Sequence, residues 1–425
     1  MDRFVLHGPN RLAGTVRASG AKNAALPALA ACLLTDRPVR LARVPAVRDI
    51  RTMCRLLEHL GMACATGPDG AVTVRRDGPL ASAYDAPYEL VKTMRASVLV
   101  LGPLLARHGE ARVSLPGGCA IGVRPIDQHL AGLRALGATI ELAHGDVTVR
   151  ARRLAGARFR FAVPTVTGTE NVLMAAVLAR GTSVLENCAA EPEVGDLAAL
   201  LTAMGAKIAG AGGPAIEVEG VSALGGAEHR VIPDRIEAGT YLLAAAMTGG
   251  AVRVEGVRPA DLAPLTEKLA AAGVAVAAEP DALTVRGNGE LLPVDVETAP
   301  HPGFPTDLQA QWMAVMTRAR GVSTVRELVF ENRFQHVPEL ARMGADIRID
   351  GATARVHGPT PLAGAHVMAT DLRASASLVI AGLAAAGETV VHRIYHLDRG
   401  YEAMESKLQS LGARVERVTG APPPD

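Results

Sequence analysis

A small set of polar residues in this chain has the types and spacing for chemistry on anionic substrates. Cys119 lies between Gly117-Gly118 and Gly122, in Pro116-Gly117-Gly118-Cys119-Ala120-Ile121-Gly122-Val123-Arg124-Pro125-Ile126-Asp127. Glycines let such a loop bend and leave the thiol little shielded. A cation such as Arg124 favours the thiolate or aligns an anion beside it. Taken alone, the same segment also reads as a surface loop with an inert cysteine. Lys22 follows Ser19-Gly20-Ala21, and Asp307 follows Phe304-Pro305-Thr306. A carboxylate facing a substrate hydroxyl can act as general base, although Asp307 could equally be a helix cap. Arg399, in Asp398-Arg399-Gly400, adds a further guanidinium.

An internal repeat supplies the elements that must position these groups. A phrase of the form Leu-x-x-(Leu/Met/Ala)-Gly recurs six times, with its glycine at positions 61, 137, 205, 273, 344 and 412. Each copy reads as a helix stopped by glycine and followed by an alternating strand. Before it come an Ala/Leu-rich helix and a β-branched strand, as in 171–179 followed by Gly181-Thr182-Ser183-Val184-Leu185. One unit is therefore helix, strand, helix, then two or three strands. Units of about 70 residues are too large for a thin solenoid. The expected architecture is α/β: two domains of three units each, helices inside and sheets outside.

Val5-Leu6-His7-Gly8-Pro9 resembles Arg355-Val356-His357-Gly358-Pro359, and the sixth unit ends without such a strand pair. Residues 1–21 are expected to supply it. The domains would then be 22–232, carrying the Cys119 loop, and a discontinuous 1–21 plus 233–425, with the active site in the cleft between them.

Equivalent places in the repeat collect the polar residues. The start of the first helix holds Lys22 and Asn23, then Arg95, Thr165-Val166-Thr167, Asp234-Arg235, Thr306-Asp307 and Asp371-Leu372-Arg373. The loop after the first strand holds Arg48, Cys119 with Arg124, Arg258, Arg333 and Arg399. Helix N-termini present free N–H groups and partial positive charge, so they suit phosphates and carboxylates. A Lys or Arg there opposes the dipole and needs an anionic partner. Asp234, Thr306 and Thr370 could instead simply cap their helices.

The totals exclude several classes. Aromatics are 3% of the chain, too few for stacking platforms that hold single-stranded nucleic acid. Lys and Arg number 44 against 43 Asp and Glu, so no global field directs the chain to nucleic acid or to an anionic membrane. Five cysteines without a Cys-x-x-Cys pair point to a reducing, cytoplasmic setting, with Cys32 and Cys54 as small core residues. The first residues lack the apolar run of a secretory signal, and runs such as 378–386 are too short to span a bilayer. His392 and His396 lack a third ligand, so no metal is expected.

The segments Ser19-Gly20-Ala21-Lys22-Asn23, Gly118-Cys119-Ala120-Ile121-Gly122-Val123-Arg124-Pro125, Phe304-Pro305-Thr306-Asp307, Phe330-Glu331-Asn332-Arg333-Phe334 and Asp398-Arg399-Gly400-Tyr401-Glu402 together resemble the UDP-N-acetylglucosamine enolpyruvyltransferase family over about residues 12–417. The resemblance implies a pair of inside-out α/β barrels. It also implies enolpyruvyl transfer from phosphoenolpyruvate to the sugar 3′-hydroxyl with release of phosphate, the step that opens peptidoglycan precursor synthesis. No cofactor is implied. In its terms Cys119 is a mobile acid that protonates C3, and Asp307 is the base. Lys22, Arg124 and Arg399 hold phosphate and carboxylate. Asn23, Arg95 and Arg373 make further contacts. Arg124, Pro125, Ile126, Asp127 and Gln128 follow the nucleotide, with Pro164, Thr165, Val166, Thr167 and Val329. Thr165-Val166-Thr167-Gly168 departs from the Ser-Val-Gly form of some members, so binding there is implied for the backbone amides. A family cysteine at position 119 also implies sensitivity to the epoxide fosfomycin. Two other readings stand beside this one: a related transferase for another acceptor, such as shikimate 3-phosphate or a specialised nucleotide, and a sugar-nucleotide-binding regulator without turnover. The Cys119 loop and Arg124-Pro125-Ile126-Asp127 favour the UDP-sugar, and the retained thiol, carboxylate and cations argue against loss of turnover.

Overall fold

The computed structural model describes residues 2–77, 85–115 and 126–420. They fall into two compact units, one of residues 20–232 and one of 2–19 with 233–420. Among the described residues there are six four-stranded sheets, three in each unit. Every sheet repeats one pattern. An edge strand runs parallel to the next, and two antiparallel strands complete the set, as in Asp85–Ala86, Glu110–Ser114, Asp146–Arg150 and Thr139–Ala143.

In the unit of residues 20–232, the helices Lys22–Ala31, Leu101–His108 and Val166–Ala176 form the interior. In the other unit that place is taken by Arg235–Met247, Gln309–Met316 and Leu372–Ala384. These helices are apolar around nearly the whole circumference, which is the pattern of a helix enclosed on every side. All of Leu372–Ala384 is buried, and Trp312 is fully enclosed. The sheets lie outside, and strands such as Ala215–Glu219 alternate buried and exposed residues. Each unit has its own continuous apolar core. The architecture is the α/β arrangement of helices inside and sheets outside read from the repeat.

The glycines of the repeated phrase do what the pattern required. Gly61, Gly137, Gly205, Gly273, Gly344 and Gly412 all have φ between 85° and 105°, the left-handed region that ends a helix without a Cβ clash. The N-terminal strands depart from expectation. They do not both complete the sixth unit. Arg3–Gly8 inserts between Gly387–His392 and Val415–Val418 in the sixth sheet. Ala13–Arg17 instead pairs in parallel with Ala251–Glu255 and opens the fourth. Asn10 fixes the turn between them. Its Nδ2 donates to His7 O and Leu383 O, and its Oδ1 accepts from Arg414 N. Cys32 is a core residue as read, whereas Cys54 is only half-buried, beside the buried stripe Ile50, Met53 and Leu57 of Arg48–His59.

Candidate active site

In the unit of residues 20–232, the site residues follow from how the central helices begin. Gly20 packs so closely on Arg43 that a Cβ would sit 1.7 Å from the Arg43 carbonyl oxygen. That contact leads the chain into Lys22, the first residue of Lys22–Ala31, where Ala21 offers no side-chain cap. The ammonium stands against the positive end of the helix and meets its anionic partner, Asp49 Oδ2, at 3.3 Å. Both side chains are largely buried, at 11% and 5% exposure. Asp49 is an unanticipated member of the site. Its only signal in the sequence is that it follows Arg48, at a repeat position already singled out. Asn23 is half-buried on the same first turn.

Arg95 opens the 3₁₀ turn Arg95–Val100 that leads into Leu101–His108. Thr165 caps Val166–Ala176, its Oγ1 accepting from Gly168 N at 3.3 Å. The helix starts of the three repeats in this unit thus carry Lys22, Arg95 and Thr165 to Thr167. Val166 and Thr167 are half-buried and Pro164 is exposed. Ile126 is buried and Asp127 exposed at the start of Asp127–Ala135. Gln128 is occupied locally: its Oε1 accepts from Ala162 N at 2.8 Å, and its Nε2 donates to Asp127 Oδ2 at 3.1 Å. The side chain therefore ties Asp127–Ala135 to the segment before Pro164.

Behind these residues sits His129, which sequence reasoning missed. Asn171 Oδ1 accepts from Gly102 N at 2.6 Å, so its Nδ2 is the donor to Val98 O and to His129 Nδ1, at 3.0 Å each. His129 Nδ1 is thereby the acceptor, and Nε2–H donates to Thr167 Oγ1 at 3.2 Å. Burial, and next the charge of Arg95, push the imidazole down to about 3, which keeps it neutral. The pattern gave no sign of this, because a lone histidine in the first turn of a mixed helix reads as an ordinary structural side chain.

In the other unit, Asp307 lies in the short turn Thr306–Leu308 before Gln309–Met316. Its Oδ1 accepts from Arg333 at 2.8 Å and its Oδ2 from Arg373 at 2.8 Å. Burial raises the carboxyl, but the guanidinium groups of Arg373 and Arg333 outweigh it and hold Asp307 well below the usual carboxylate range. Both arginines are buried, while 24% of the Asp307 side chain stays accessible. Arg373 also lies over the Tyr401 ring, 5.6 Å from its centroid. Tyr401 is held by Thr240 at 2.9 Å.

Asp234 caps Arg235–Met247, its side chain accepting from Ile236 N and Glu237 N. Thr306 and Thr370 are not caps. Thr306 Oγ1 donates to Glu327 Oε2 at 2.8 Å, and Asp371, not Thr370, caps Leu372–Ala384. Arg399 is half-buried at the end of Ile394–Arg399, next to Asp398, which is paired with Arg417 at 2.5 Å. Val329 is held through its backbone: its N–H donates to Glu327 Oε1 at 2.9 Å. His392 turns to His366, with 3.1 Å between ring nitrogens, and not to His396. Cys119, Arg124 and Pro125 lie outside the described residues.

Each unit thus aims cationic and hydrogen-bonding groups from the starts of its central helices, and one unit adds a guanidinium-clamped carboxylate. That is equipment for holding phosphate and carboxylate groups and for handling a proton. Comparisons with known proteins define the class. The chain belongs to the family of EPSP synthase, 3-phosphoshikimate 1-carboxyvinyltransferase, whose model matches residues 6–408. The chain is also similar to proteins with a narrower name. A UDP-N-acetylglucosamine 1-carboxyvinyltransferase of Anaeromyxobacter sp. (strain K) is 58% identical, covering 99% of this chain and 100% of that protein. One of Sorangium cellulosum is 57% identical, covering 99% of each. Among solved structures, the enolpyruvyl transferase NikO from Streptomyces tendae superposes with a TM-score of 0.89 at 29% identity over 99% of each chain. EPSP synthase of Acinetobacter baumannii shares the fold, with a TM-score of 0.77 at 18% identity over 99% of this chain and 100% of that one.

Proposed function

We propose that this enzyme transfers the enolpyruvyl group of phosphoenolpyruvate to the 3′-hydroxyl of UDP-N-acetylglucosamine and releases phosphate, as the opening step of peptidoglycan precursor synthesis. The observation that carries the reading is full-length identity of 58% to a protein named for that reaction, in a chain that keeps Lys22 paired and Asp307 clamped at its helix starts. The reaction is assigned to residues drawn from both units. Free thiols at Cys32, Cys54, Cys64 and Cys188 suit a cytoplasmic location.

In this reading Lys22, Arg124 and Arg399 hold the phosphate and carboxylate of phosphoenolpyruvate, with Asn23, Arg95 and Arg373 as further contacts. Ile126, Asp127 and Gln128 join Pro125, Val329 and the segment Pro164 to Thr167 along the nucleotide. Asp307 takes the 3′-hydroxyl proton, the oxygen adds to C2, and Cys119 delivers a proton to C3. The resulting tetrahedral ketal then loses a C3 proton and expels phosphate, which restores the vinyl group. Asp307 between two guanidiniums is a weak base. Anionic substrate that draws Arg373 or Arg333 away raises its basicity when the sugar hydroxyl arrives. The test is phosphate release from phosphoenolpyruvate with UDP-N-acetylglucosamine. Cys119→Ser and Asp307→Ala should bind both ligands yet release none. Release that needs shikimate 3-phosphate instead, or no release with any acceptor, would overturn the assignment.

A further inference from the structure

Glu327 is buried, with 3% exposure, and belongs to none of the groups discussed as ligands or proton carriers. Its carboxylate is nonetheless where the site segments of this unit meet. Oε1 accepts from Thr298 Oγ1 at 2.9 Å, Val329 N at 2.9 Å and Phe330 N at 3.0 Å. Oε2 accepts from Thr306 Oγ1 at 2.8 Å. Thr298 Oγ1 in turn accepts from Leu328 N at 2.9 Å, so three consecutive amides, 328 to 330, are pinned directly or through one hydroxyl. Thr306 Oγ1 also accepts from Arg333 at 3.3 Å, and Arg333 is one of the two clamps on Asp307. A carboxylate offers about four acceptor sites and no donor, and here four bonds are accepted.

We infer that Glu327 is a positioning residue that sets two parts of the site at once: the backbone at Val329, and the orientation of Arg333 against Asp307. The inference rests on the transferase reading above, because it assigns Val329 to the sugar nucleotide and Asp307 to the proton transfer. Its two oxygens divide the work. Oε1 holds the Val329 segment, and Oε2 holds Thr306 and, through it, Arg333.

That division makes the two roles separable by substitution. In Glu327→Gln the remaining carbonyl oxygen, with two lone pairs, can keep the two backbone bonds from Val329 N and Phe330 N. The new amide nitrogen faces Thr306 Oγ1 and donates to it. Thr306 then accepts from both that nitrogen and Arg333, and its own hydrogen loses its acceptor. Glu327→Ala removes both sets of bonds.

The experiment compares the full-length wild type with Glu327→Gln, Glu327→Ala and Thr306→Val. KM for UDP-N-acetylglucosamine, kcat and the thermal midpoint are read for each. Loss of a hydrogen bond to a charged group corresponds to about a tenfold effect. The expected result is a split. Glu327→Gln and Thr306→Val lower kcat about tenfold and leave KM within about twofold, whereas Glu327→Ala also raises KM about tenfold. A role limited to stability would shift the thermal midpoint and leave both kinetic constants near wild type, which overturns the inference. So does a Glu327→Gln protein whose KM rises as far as that of Glu327→Ala. If Glu327→Ala does not fold, the other two variants still decide, because an unchanged kcat in both refutes the link to Arg333. Absence of turnover in the wild type would instead sink the transferase reading itself.

Discussion

Removing the Asp307 carboxylate tests the physical core of the site, because it leaves two buried guanidinium groups facing each other without an anion. Arg333 and Arg373 are 4% and 5% exposed at their side chains, and each donates to Asp307 at 2.8 Å. Breaking a buried ion pair by deleting one partner costs about 3–5 kcal/mol. A quarter of the Asp307 side chain is accessible, so the lower end, about 3 kcal/mol, applies to Asp307→Ala. Because its pKa is lowered on folding, Asp307 contributes this stability above the unfolded carboxyl pKa of about 3.9 and loses it as pH falls through the folded value. At pH 7 the whole contribution is present. In a unit of this size about 3 kcal/mol corresponds to a fall of about 6–12 °C in the transition midpoint. Calorimetry, following the transition of the unit that holds Asp307, reads it. The variant should also gain an anion site where the carboxylate stood. Inorganic phosphate at a hundredfold excess over its Kd returns about 2.7 kcal/mol, which restores most of the midpoint. The reasoning fails if Asp307→Ala melts with the wild type, or if phosphate raises both proteins equally. Adding Arg373→Met to Asp307→Ala should abolish the rescue.

His129 predicts a pH effect whose sign is set by its depressed pKa. In the folded chain the imidazole stays neutral down to about 3, whereas in the unfolded chain it takes up a proton near 6.5. Its contribution is complete from about pH 7.5 upward and is lost as pH falls through 6.5 toward 3, by about 2 kcal/mol at pH 5. His129→Gln lacks this slope, so in urea unfolding its deficit relative to the wild type should shrink by about 2 kcal/mol between pH 7.5 and 5. A constant deficit across that range refutes the assignment. Gly20→Ala would place a Cβ 1.7 Å from the Arg43 carbonyl oxygen, a backbone atom that cannot swing aside. The substitution should cost at least about 2 kcal/mol in urea unfolding, and a change within about 0.5 kcal/mol would contradict the close approach.

Much of the fold was legible because it is repeated. The six glycines marked helix ends that need a left-handed residue, and all six adopt that conformation. The repeat of Ala/Leu-rich helices and alternating strands set helices inside and sheets outside, and the central helices are buried accordingly. The helix-start positions were also legible, so Lys22, Arg95, Thr165, Asp307 and Arg373 stand where the repeat put them. The routing of the N-terminal strands was not. Arg3–Gly8 and Ala13–Arg17 look alike to a pattern reading, yet they join different sheets because Asn10 anchors the turn to residues 383 and 414.

The roles of individual polar groups divide along the same line. Residue type and repeat position by themselves determined that cations and a carboxylate gather at helix starts, since those are local properties of the chain. Pairing was decided only by tertiary structure. Asp49 meets Lys22 from 27 residues away, and Arg373 meets Asp307 from 66. Thr306 reads as a cap until its hydroxyl is seen to donate to Glu327. A hydrogen bond depends on where two side chains end up in space, and no periodicity along one strand or helix encodes that distance.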